Sequence, residues 1–436
     1  MRKQILLVVC GLLFTLGVSA QLGANGFYRI RNANTSTSND RLSLIFDELN
    51  YRTILSAGGG GSGVLAGTFD TDKALASAVT FLKKDIKIVQ DYYGDPSTVF
   101  YVKKNGNYGT EYDVQSQGTG LHEIATGSVT LEKYGISVTI DIDDIYANII
   151  KEANEDYYVA SIRMYKEASF LGIKRKVDMG TAYFQDQNGS FGIATSNVSS
   201  DMTTKWYIEP VTSDGDNYFA AKPADKMKEG GKYYTSLTTA FAYQIVGDVN
   251  AYIVTGVEQK DGKQVATMKL VGGQGKIIPA YTPVILECTS TDPALNKLQP
   301  TTSAGNVDVS GNKLHGVLLK NKYKSSDNAT LAAITKPTRL RVFNVNTSGK
   351  VRFYKYSGTD LSANKVYLDM ADFANASSNE FDGTFTMDFS QTVSGVNEVH
   401  VEETVKDDRY YDLQGRVVEH PTRGIYIRNG RKVYVN

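Results

Sequence analysis

The chain has 436 residues, which is more than one ordinary hydrophobic core holds and predicts two or three domains. Its 47 basic and 47 acidic residues balance, which argues against nucleic acid as a partner and against binding to an anionic membrane surface. The 28 tyrosines and 40 glycines, beside nine prolines, favour short strands and turns, so we predict an all-β fold.

Residues 1–20 have the order of a secretory signal peptide. A basic start is followed by an apolar stretch and then by VSA, the small-x-small pattern that signal peptidase cleaves. We predict cleavage between Ala20 and Gln21. The apolar stretch is shorter than the ~20 residues of a membrane-spanning helix, and a retained anchor is the alternative. We therefore expect an exported protein with no integral membrane segment after processing.

Residues 21–211 form the first predicted domain. Three of its segments join an aromatic strand to a further strand through an Asn- or Gly-rich turn, as hairpins do: GFYRIRNANTSTSNDRLSLIF, TVFYVKKNGNYGTEYDVQSQGTG and TAYFQDQNGSFGIATSNVSSDMTTKWYIEP. YGISVTIDI alternates as a strand does. Only residues 72–83 and 143–153 predict short helices, the second beginning at Asp143 and Asp144.

The recurring hairpins suggest a closed β-domain that hides its strand edges. GFYRIRN…RLSLI and KWYIEP resemble the opening and closing strands of ricin-type β-trefoil modules in secreted proteins of the Bacteroidetes phylum. The Gln-x-Trp signature of those modules is missing. The resemblance implies a β-trefoil-like, lectin-like domain that binds carbohydrate.

Residues 212–391 form the second predicted domain. Nine segments have the composition of strands and are separated by turns such as Asp261-Gly262 and Gly272-Gly273. These segments are KYYTSL, FAYQIV, NAYIVTGV, QVATMKLV, TPVILEC, HGVLLK, RLRVFNV, VRFYKY and NKVYLDM. Their spacing predicts a β-sandwich or an irregular β-barrel. IIPAYTPVILE and FYKYSGTDLSANKVYL resemble a β-domain of surface proteins in the same phylum, which implies no particular chemistry.

The end of the chain predicts a separate β-unit. Residues 392–408 carry acids and few large apolar groups, which is typical of a solvated linker. In residues 409–436, Asn429-Gly430 is a strong hairpin signal, and YYDLQGR supplies a third strand. Counting outward from the turn pairs Ile427 with Lys432, Tyr426 with Val433 and Ile425 with Tyr434.

This tail, YDLQGRVV…PTRGIYIRNGRKVYV, closely resembles the C-terminal sorting domains of type IX secretion cargo. The matching residues are Tyr411, Asp412, Gly415, Arg416, Gly424, Tyr426, Gly430, Lys432 and Val433. The resemblance implies that the tail engages the secretion machinery and directs the protein to the cell surface or the extracellular space, with the periplasm as the fallback. The alternative is that these strands complete the preceding sheet.

Side chains that could carry out catalysis are few. His122, His315, His400 and His420 are scattered along the chain, and the HExxH pattern is absent. AGGGGSG lacks the ending of a phosphate-binding loop, and DIDDIY lacks the spacing of a calcium loop. We therefore predict no catalytic residue, no metal site and no cofactor.

Two single residues are predicted to be structural. Trp206, the only tryptophan, lies in an apolar strand and predicts a core residue, although stacking on a sugar ring is an alternative. Cys288 follows PVILE in a strand without a marked histidine partner, which predicts a buried thiol.

Three functions stay open at this point. We favour a secreted or surface protein that is not an enzyme and binds glycans or other extracellular macromolecules through the lectin-like domain. A structural or adhesive surface protein without a small-molecule site is the second possibility. The third is a glycosidase or peptidase whose catalytic groups the sequence does not mark.

Overall fold

A computed structural model describes residues 22, 25–34, 41–44, 86–89, 92–104, 111–116, 119–120, 127–133, 136–142, 144–152, 154–170, 173–194, 196–318, 321–322, 340–356, 360–373, 384–391, 410–411, 417–419, 421–428 and 431–435. The fold is all-β, as predicted. In the described residues, helical structure is confined to three-residue 3-10 turns at Pro96–Thr98, Met202–Thr204, Pro293–Leu295 and Met370–Asp372. The chain divides into two compact units, residues 1–391 and 392–436.

The first block of the larger unit contains thirteen strands. They are β1 (Gly26–Asn32), β2 (Arg41–Leu44), β3 (Ile86–Val89), β4 (Phe100–Lys104), β5 (Glu111–Ser116), β6 (Thr119–Gly120), β7 (Gly127–Lys133), β8 (Ile136–Ile142), β9 (Asp144–Lys151), β10 (Tyr158–Phe170), β11 (Ile173–Gln187), β12 (Ser190–Ala194) and β13 (Lys205–Pro210).

Six of these strands form a closed ring. Antiparallel pairings lead from β1 to β4, β5, β9, β10, β13 and back to β1. Three further antiparallel strand pairs, β2–β3, β7–β8 and β11–β12, lie outside the ring, and the last two are hairpins. The last of them turns at Asn188 and Gly189, whose φ angles of 55° and 83° are those that a two-residue hairpin turn requires. Closure leaves the ring strands without free edges.

Trp206 belongs to the core of this block, as predicted. On β13 it lies opposite Asn32 of β1 and Tyr158 of β10. Its side chain is fully buried, and the indole N–H donates a hydrogen bond of 3.1 Å to the Phe184 carbonyl. The six-stranded ring thus encloses the indole, and the β11–β12 hairpin supplies the hydrogen-bond partner of its N–H. No face of the indole is left for stacking on a sugar.

The helix predicted over residues 143–153 is wrong, and Asp144 does not begin one. Residues 144–151 form strand β9, which pairs with β5 on one side and β10 on the other. The β-branched Ile145, Ile149 and Ile150 suit a strand, and pairing on both sides outweighs the weak local preference for a helix start. The other predicted helix, residues 72–83, lies outside the described residues.

The second block has sixteen strands, and each of the nine predicted segments overlaps one of them. They are β14 (Phe219–Ala220), β15 (Lys228–Glu229), β16 (Lys232–Leu237), β17 (Ala242–Ile245), β18 (Val249–Lys260), β19 (Lys263–Gly272), β20 (Ile277–Ile278), β21 (Val284–Cys288), β22 (Lys297–Thr301), β23 (Leu314–Val317), β24 (Asn321–Lys322), β25 (Leu340–Val345), β26 (Val351–Lys355), β27 (Asp360–Leu361), β28 (Lys365–Asp369) and β29 (Thr386–Gln391).

These strands pack as layered sheets. A six-stranded sheet (β15-β16-β21-β18-β19-β29) lies between two four-stranded sheets, β14-β22-β17-β20 and β23-β28-β25-β26. Strand β21 shows why both faces are covered, because its side chains alternate between two cores. Val284, Leu286 and Cys288 enter one apolar cluster, and Ile285 enters the other. The first cluster also contains Val99 of the first block. The division predicted at residue 211 stays a prediction.

The smaller unit contains a four-stranded sheet. Its strands β30 (Tyr410–Tyr411), β31 (Val417–Val418), β32 (Gly424–Arg428) and β33 (Arg431–Val435) follow the order β31-β30-β32-β33. The sequence predicts three strands, and the fourth arises because Val417–Val418 pairs back on Tyr410–Tyr411. The predicted register of the last hairpin is confirmed in all three pairs. The predicted turn at Asn429-Gly430 and the predicted linker, residues 392–408, lie outside the described residues.

No helix in the described part of the chain is long and apolar enough to cross a membrane.

Candidate functional site

Arg29 joins the two blocks of the larger unit at a boundary that we call the seam. Its side chain is fully buried on β1. One guanidinium nitrogen, Nη1, donates 2.8 Å hydrogen bonds to Asn217 Oδ1 and to the Tyr218 carbonyl. The other two nitrogens donate to the Tyr92 carbonyl (3.1 Å) and to Thr98 Oγ1 (3.0 Å). Through its bonds to Asn217 and Tyr218, the planar guanidinium fixes the second block against the first and so gives the seam a defined shape.

A cavity of about 460 Å³ opens at this seam, and we call it the seam cavity. Its walls come from four residues of the first block and from three segments of the second: Phe27, Val99, Tyr101, Gln115, 240–242, 279–281 and 301–305. Small-molecule sites in proteins typically have volumes of ~300–1,000 Å³, so the seam cavity has the size of a ligand site.

An aromatic cluster forms one wall of the seam cavity. Phe27 on β1 lies opposite Tyr101 on β4, which brings their ring centroids to 5.1 Å on the outer face of the six-stranded ring. Phe241 of the second block approaches Phe27 at 5.5 Å and Phe219 at 5.6 Å. Phe241 is buried, whereas Phe27 and Tyr101 are half-buried. The buried ring of Phe241 contacts Phe27, which in turn contacts Tyr101, so packing holds the orientation of both half-buried rings.

Tyr281 also lines the seam cavity, and its backbone has an unusual conformation. Its φ is +60°, in the left-handed region, and the relative solvent exposure of the residue is 59%. The left-handed conformation costs a residue with a Cβ about 1–2 kcal/mol, and a glycine would avoid that cost. The backbone is held by a hydrogen bond of 2.7 Å from the Tyr281 N–H to the Thr239 carbonyl.

Residues 301–305, which also line the cavity, pack closely on the segment that carries Tyr281. A Cβ on Gly305 would lie 2.1 Å from Cγ of Pro279, so only glycine fits there. Asn306 adds two hydrogen bonds to Ile277, one from its backbone N–H (3.1 Å) and one to its side-chain oxygen (2.8 Å). The two second-block loops are therefore fixed to each other beside the cavity.

The described residues that line the seam cavity carry no charge. Their polar groups are the Gln115 amide and the hydroxyls of Tyr101, Tyr281, Thr301, Thr302 and Ser303. Aromatic rings offer apolar faces, and hydroxyls and amides both donate and accept hydrogen bonds. Such a set can hold a neutral ligand that has both apolar faces and hydroxyl groups. It has no nucleophile–base pair and no carboxylate pair for hydrolysis within the described lining.

Of the residues singled out in the sequence, none that the structure describes lines this cavity. Cys288 is buried, and burial raises the pKa of its thiol to about 12, so the reactive thiolate does not form near neutral pH. His315 contacts the Asp372 carboxylate and stacks on Tyr367 with ring centroids 5.1 Å apart. No group of three or more potential metal ligands occurs in the described residues. His122, His400, His420 and residues 57–63 lie outside them.

The described part of the sorting motif lies on the four-stranded sheet of the smaller unit. Tyr411 lies opposite Ile427, Gly424 opposite Val435, Tyr426 opposite Val433 and Lys432 opposite Ile427. The Tyr426 hydroxyl accepts a 3.1 Å hydrogen bond from the Thr422 N–H, and its ring meets that of Tyr410 edge-on at 6.0 Å. Asp412, Gly415, Arg416 and Gly430, as well as the predicted cleavage residues Ala20 and Gln21, lie outside the described residues.

Sequence reasoning missed the cavity residues because they are far apart in the chain. Phe27, Tyr101, Phe241 and Tyr281 come from four segments that only the tertiary fold brings together. One local signal was present: Tyr281 stands between two prolines in PAYTP, where a chain turns.

The sequence matches no protein-family model and no curated protein.

Proposed function

We propose that this is an exported, non-catalytic surface protein that binds extracellular glycans in the seam cavity. The observation that carries the proposal is a cavity whose described lining is uncharged and combines Phe27, Tyr101 and Tyr281 with hydroxyl side chains. Pyranose rings present apolar C–H faces that pack on aromatic rings, and their hydroxyls pair with neutral polar groups. Aromatic walls with a few placed polar groups are the usual composition of a ligand pocket.

The architecture of the first block supports a lectin-like domain. A closed ring of six strands with three further strand pairs, two of them hairpins, is an arrangement compatible with the β-trefoil-like domain that the opening and closing strands resemble. Those two strands, β1 and β13, pair with each other over five residues. A fold by itself implies no function, so the seam cavity remains the stronger support.

Export is proposed from the two ends of the chain. Residues 1–20 have the composition of a signal peptide, and the tail resembles a type IX sorting domain. The tail lies in its own compact unit, residues 392–436, as a transferable sorting signal would. We propose that the secretion machinery recognises this unit and that the rest of the chain binds the glycan at the cell surface or outside the cell.

The test is glycan binding by the chain from residue 21 to residue 436. The parent protein is screened on a glycan array, and the best ligand is titrated by calorimetry against Tyr101→Ala and Tyr207→Ala. Both tyrosines are half-buried on the outer face of ring strands, but only Tyr101 lines the cavity. We expect Tyr101→Ala to weaken binding at least about tenfold, equivalent to 1.4 kcal/mol, and Tyr207→Ala to leave it unchanged.

Two results would refute the proposal. The first is a folded parent protein that binds no glycan, which would favour a structural or adhesive role. The second is a glycan ligand whose affinity is equally insensitive to both tyrosine substitutions, which would move the site elsewhere on the molecule.

A further inference from the structure

We infer that Tyr281 is the ring on which the ligand stacks, and that the seam cavity selects uncharged glycans over glycans that carry a carboxylate or sulfate. This inference rests on the proposed glycan-binding function and adds the ligand class and a specificity-determining residue.

Tyr281 differs in residue type from the other non-glycine residues that have a positive φ. Five non-glycine residues in the described part of the chain have a positive φ: Asn154, Asn188, Asp261, Asn364 and Tyr281. Four of them are Asn or Asp, the types that tolerate this conformation best. Tyr281 is the exception, so a bulky side chain occupies a position that the turn alone would give to glycine or asparagine.

The ring of Tyr281 does not stabilise the fold through burial. It is the most exposed of the large apolar side chains in the described residues, at 59%. What the turn needs from this residue is its N–H, which bonds to the Thr239 carbonyl. Strained positions of this kind cluster at ligand sites, where the surrounding structure holds them in place. The tyrosine side chain at this position is therefore accounted for by the aromatic surface that it offers to a ligand in the cavity.

The rest of the cavity decides which ligands are accepted. Tyr101 and Phe27 provide apolar surface from the first block, and Thr301, Thr302 and Ser303 provide hydroxyls beside Tyr281. A carboxylate or sulfate that entered would lose water without meeting a positive charge among the described lining residues. An uncharged sugar loses only hydroxyl hydration, which the neutral polar groups replace.

The experiment uses one neutral oligosaccharide identified on the array and the same oligosaccharide with a C6 alcohol oxidised to the carboxylate. Each is titrated by calorimetry against the parent protein, Tyr281→Gly and Tyr281→Phe. Asp261→Gly is the matched control, because it removes a side chain from the same type of backbone in a hairpin turn outside the cavity lining. Thermal unfolding is recorded for every variant.

We expect the neutral ligand to bind the parent at least about tenfold more tightly than the carboxylate. Tyr281→Gly should weaken binding of the neutral ligand at least about tenfold, with a melting temperature no lower than that of Asp261→Gly. Tyr281→Phe keeps the ring and should bind within about threefold of the parent, since only the hydroxyl is lost. If Tyr281→Gly fails to fold, Tyr281→Asn tolerates the same backbone and replaces it.

The failures are distinguishable. Parent-like binding by Tyr281→Gly or its Asn replacement would overturn the stacking role. Equal or tighter binding of the carboxylate would overturn the selection for uncharged ligands, while the proposed glycan-binding function stands. A parent protein that binds no glycan would overturn this inference and the proposed function together.

Discussion

Arg29 Nη1 donates a 2.8 Å hydrogen bond to Asn217 Oδ1, although 188 positions separate the two residues. The Asn217 amide in turn donates to the carbonyls of Glu209 and Pro210, at 2.9 Å each. The residue at the start of the second block is therefore tied both to the first strand and to the last strand of the six-stranded ring. This arrangement sets the position of the strands that form the seam cavity.

We predict that Arg29→Lys lowers the free energy of unfolding by about 2–3 kcal/mol or more. The single ammonium group of lysine cannot make the four hydrogen bonds of the guanidinium. Each hydrogen bond to a charged group contributes ~1.5–3 kcal/mol. Arg31→Lys is the control, because Arg31 pairs with Glu209 at a partly exposed site where an ion pair contributes ~0–1 kcal/mol. Urea denaturation followed by circular dichroism measures both. Equal effects for the two variants would contradict the role given to Arg29.

Trp206→Ala should destabilise the larger unit by ~3–5 kcal/mol, because it empties a fully enclosed site and leaves the Phe184 carbonyl without the indole donor. Trp206→Phe should cost less, since the ring is largely retained. Denaturant titration monitored by circular dichroism tests this order. A Trp206→Ala protein that unfolds like the parent but no longer binds glycan would instead support stacking of the tryptophan on a sugar.

The buried thiol of Cys288 predicts that the folded protein loses stability at alkaline pH. Burial raises the pKa of its thiol from an ordinary value of 9.0 to about 12, so the folded state disfavours the thiolate. The resulting stability is fully present below pH 9 and is lost progressively as the pH rises from about 9 to about 12, because only the unfolded chain releases the proton there.

The measurement compares the free energy of unfolding of the parent with that of Cys288→Ala between pH 7 and pH 10.5. The parent should lose stability more steeply above about pH 9, and a thiol reagent should label Cys288 only after denaturation. Parallel pH profiles together with rapid labelling of the native protein would contradict this prediction.

Removal of residues 392–436 should leave the larger unit folded, because the chain separates into two compact units at that boundary. We expect an unchanged melting temperature and, in cells, failure to reach the surface. A second variant, Gly430→Val, places a β-branched residue in the turn predicted at Asn429-Gly430 and should impair sorting while the larger unit keeps its stability. Truncation that unfolds the larger unit would show that the tail is the last part of a domain.

Local pattern predicted most strands correctly. All nine predicted segments of the second block overlap strands, and the register of the tail hairpin follows from turn chemistry and strand alternation. These features depend on residues within about ten positions of one another, which is the range over which sequence periodicity carries information.

The wrong helix prediction at residues 143–153 shows that pairing with distant strands can override the local sequence pattern. An acidic start followed by alanine and isoleucine is compatible with a short helix, and the segment became a strand because β5 and β10 offered pairing on both sides. Backbone hydrogen bonds to distant partners are absent from any local pattern, and here they outweigh a difference in propensity of less than ~1 kcal/mol per residue.

By itself the sequence determined the all-β class, the positions of most strands and the register of the final hairpin, because alternation and turn residues act between neighbours. Only the tertiary structure decided that β1 and β13 close a ring and that Arg29 is buried at the seam. It also decided that Phe27, Tyr101, Phe241 and Tyr281 share one cavity. The physical reason is that a cavity is the space left between elements, and its position depends on how sheets from distant parts of the chain pack against each other.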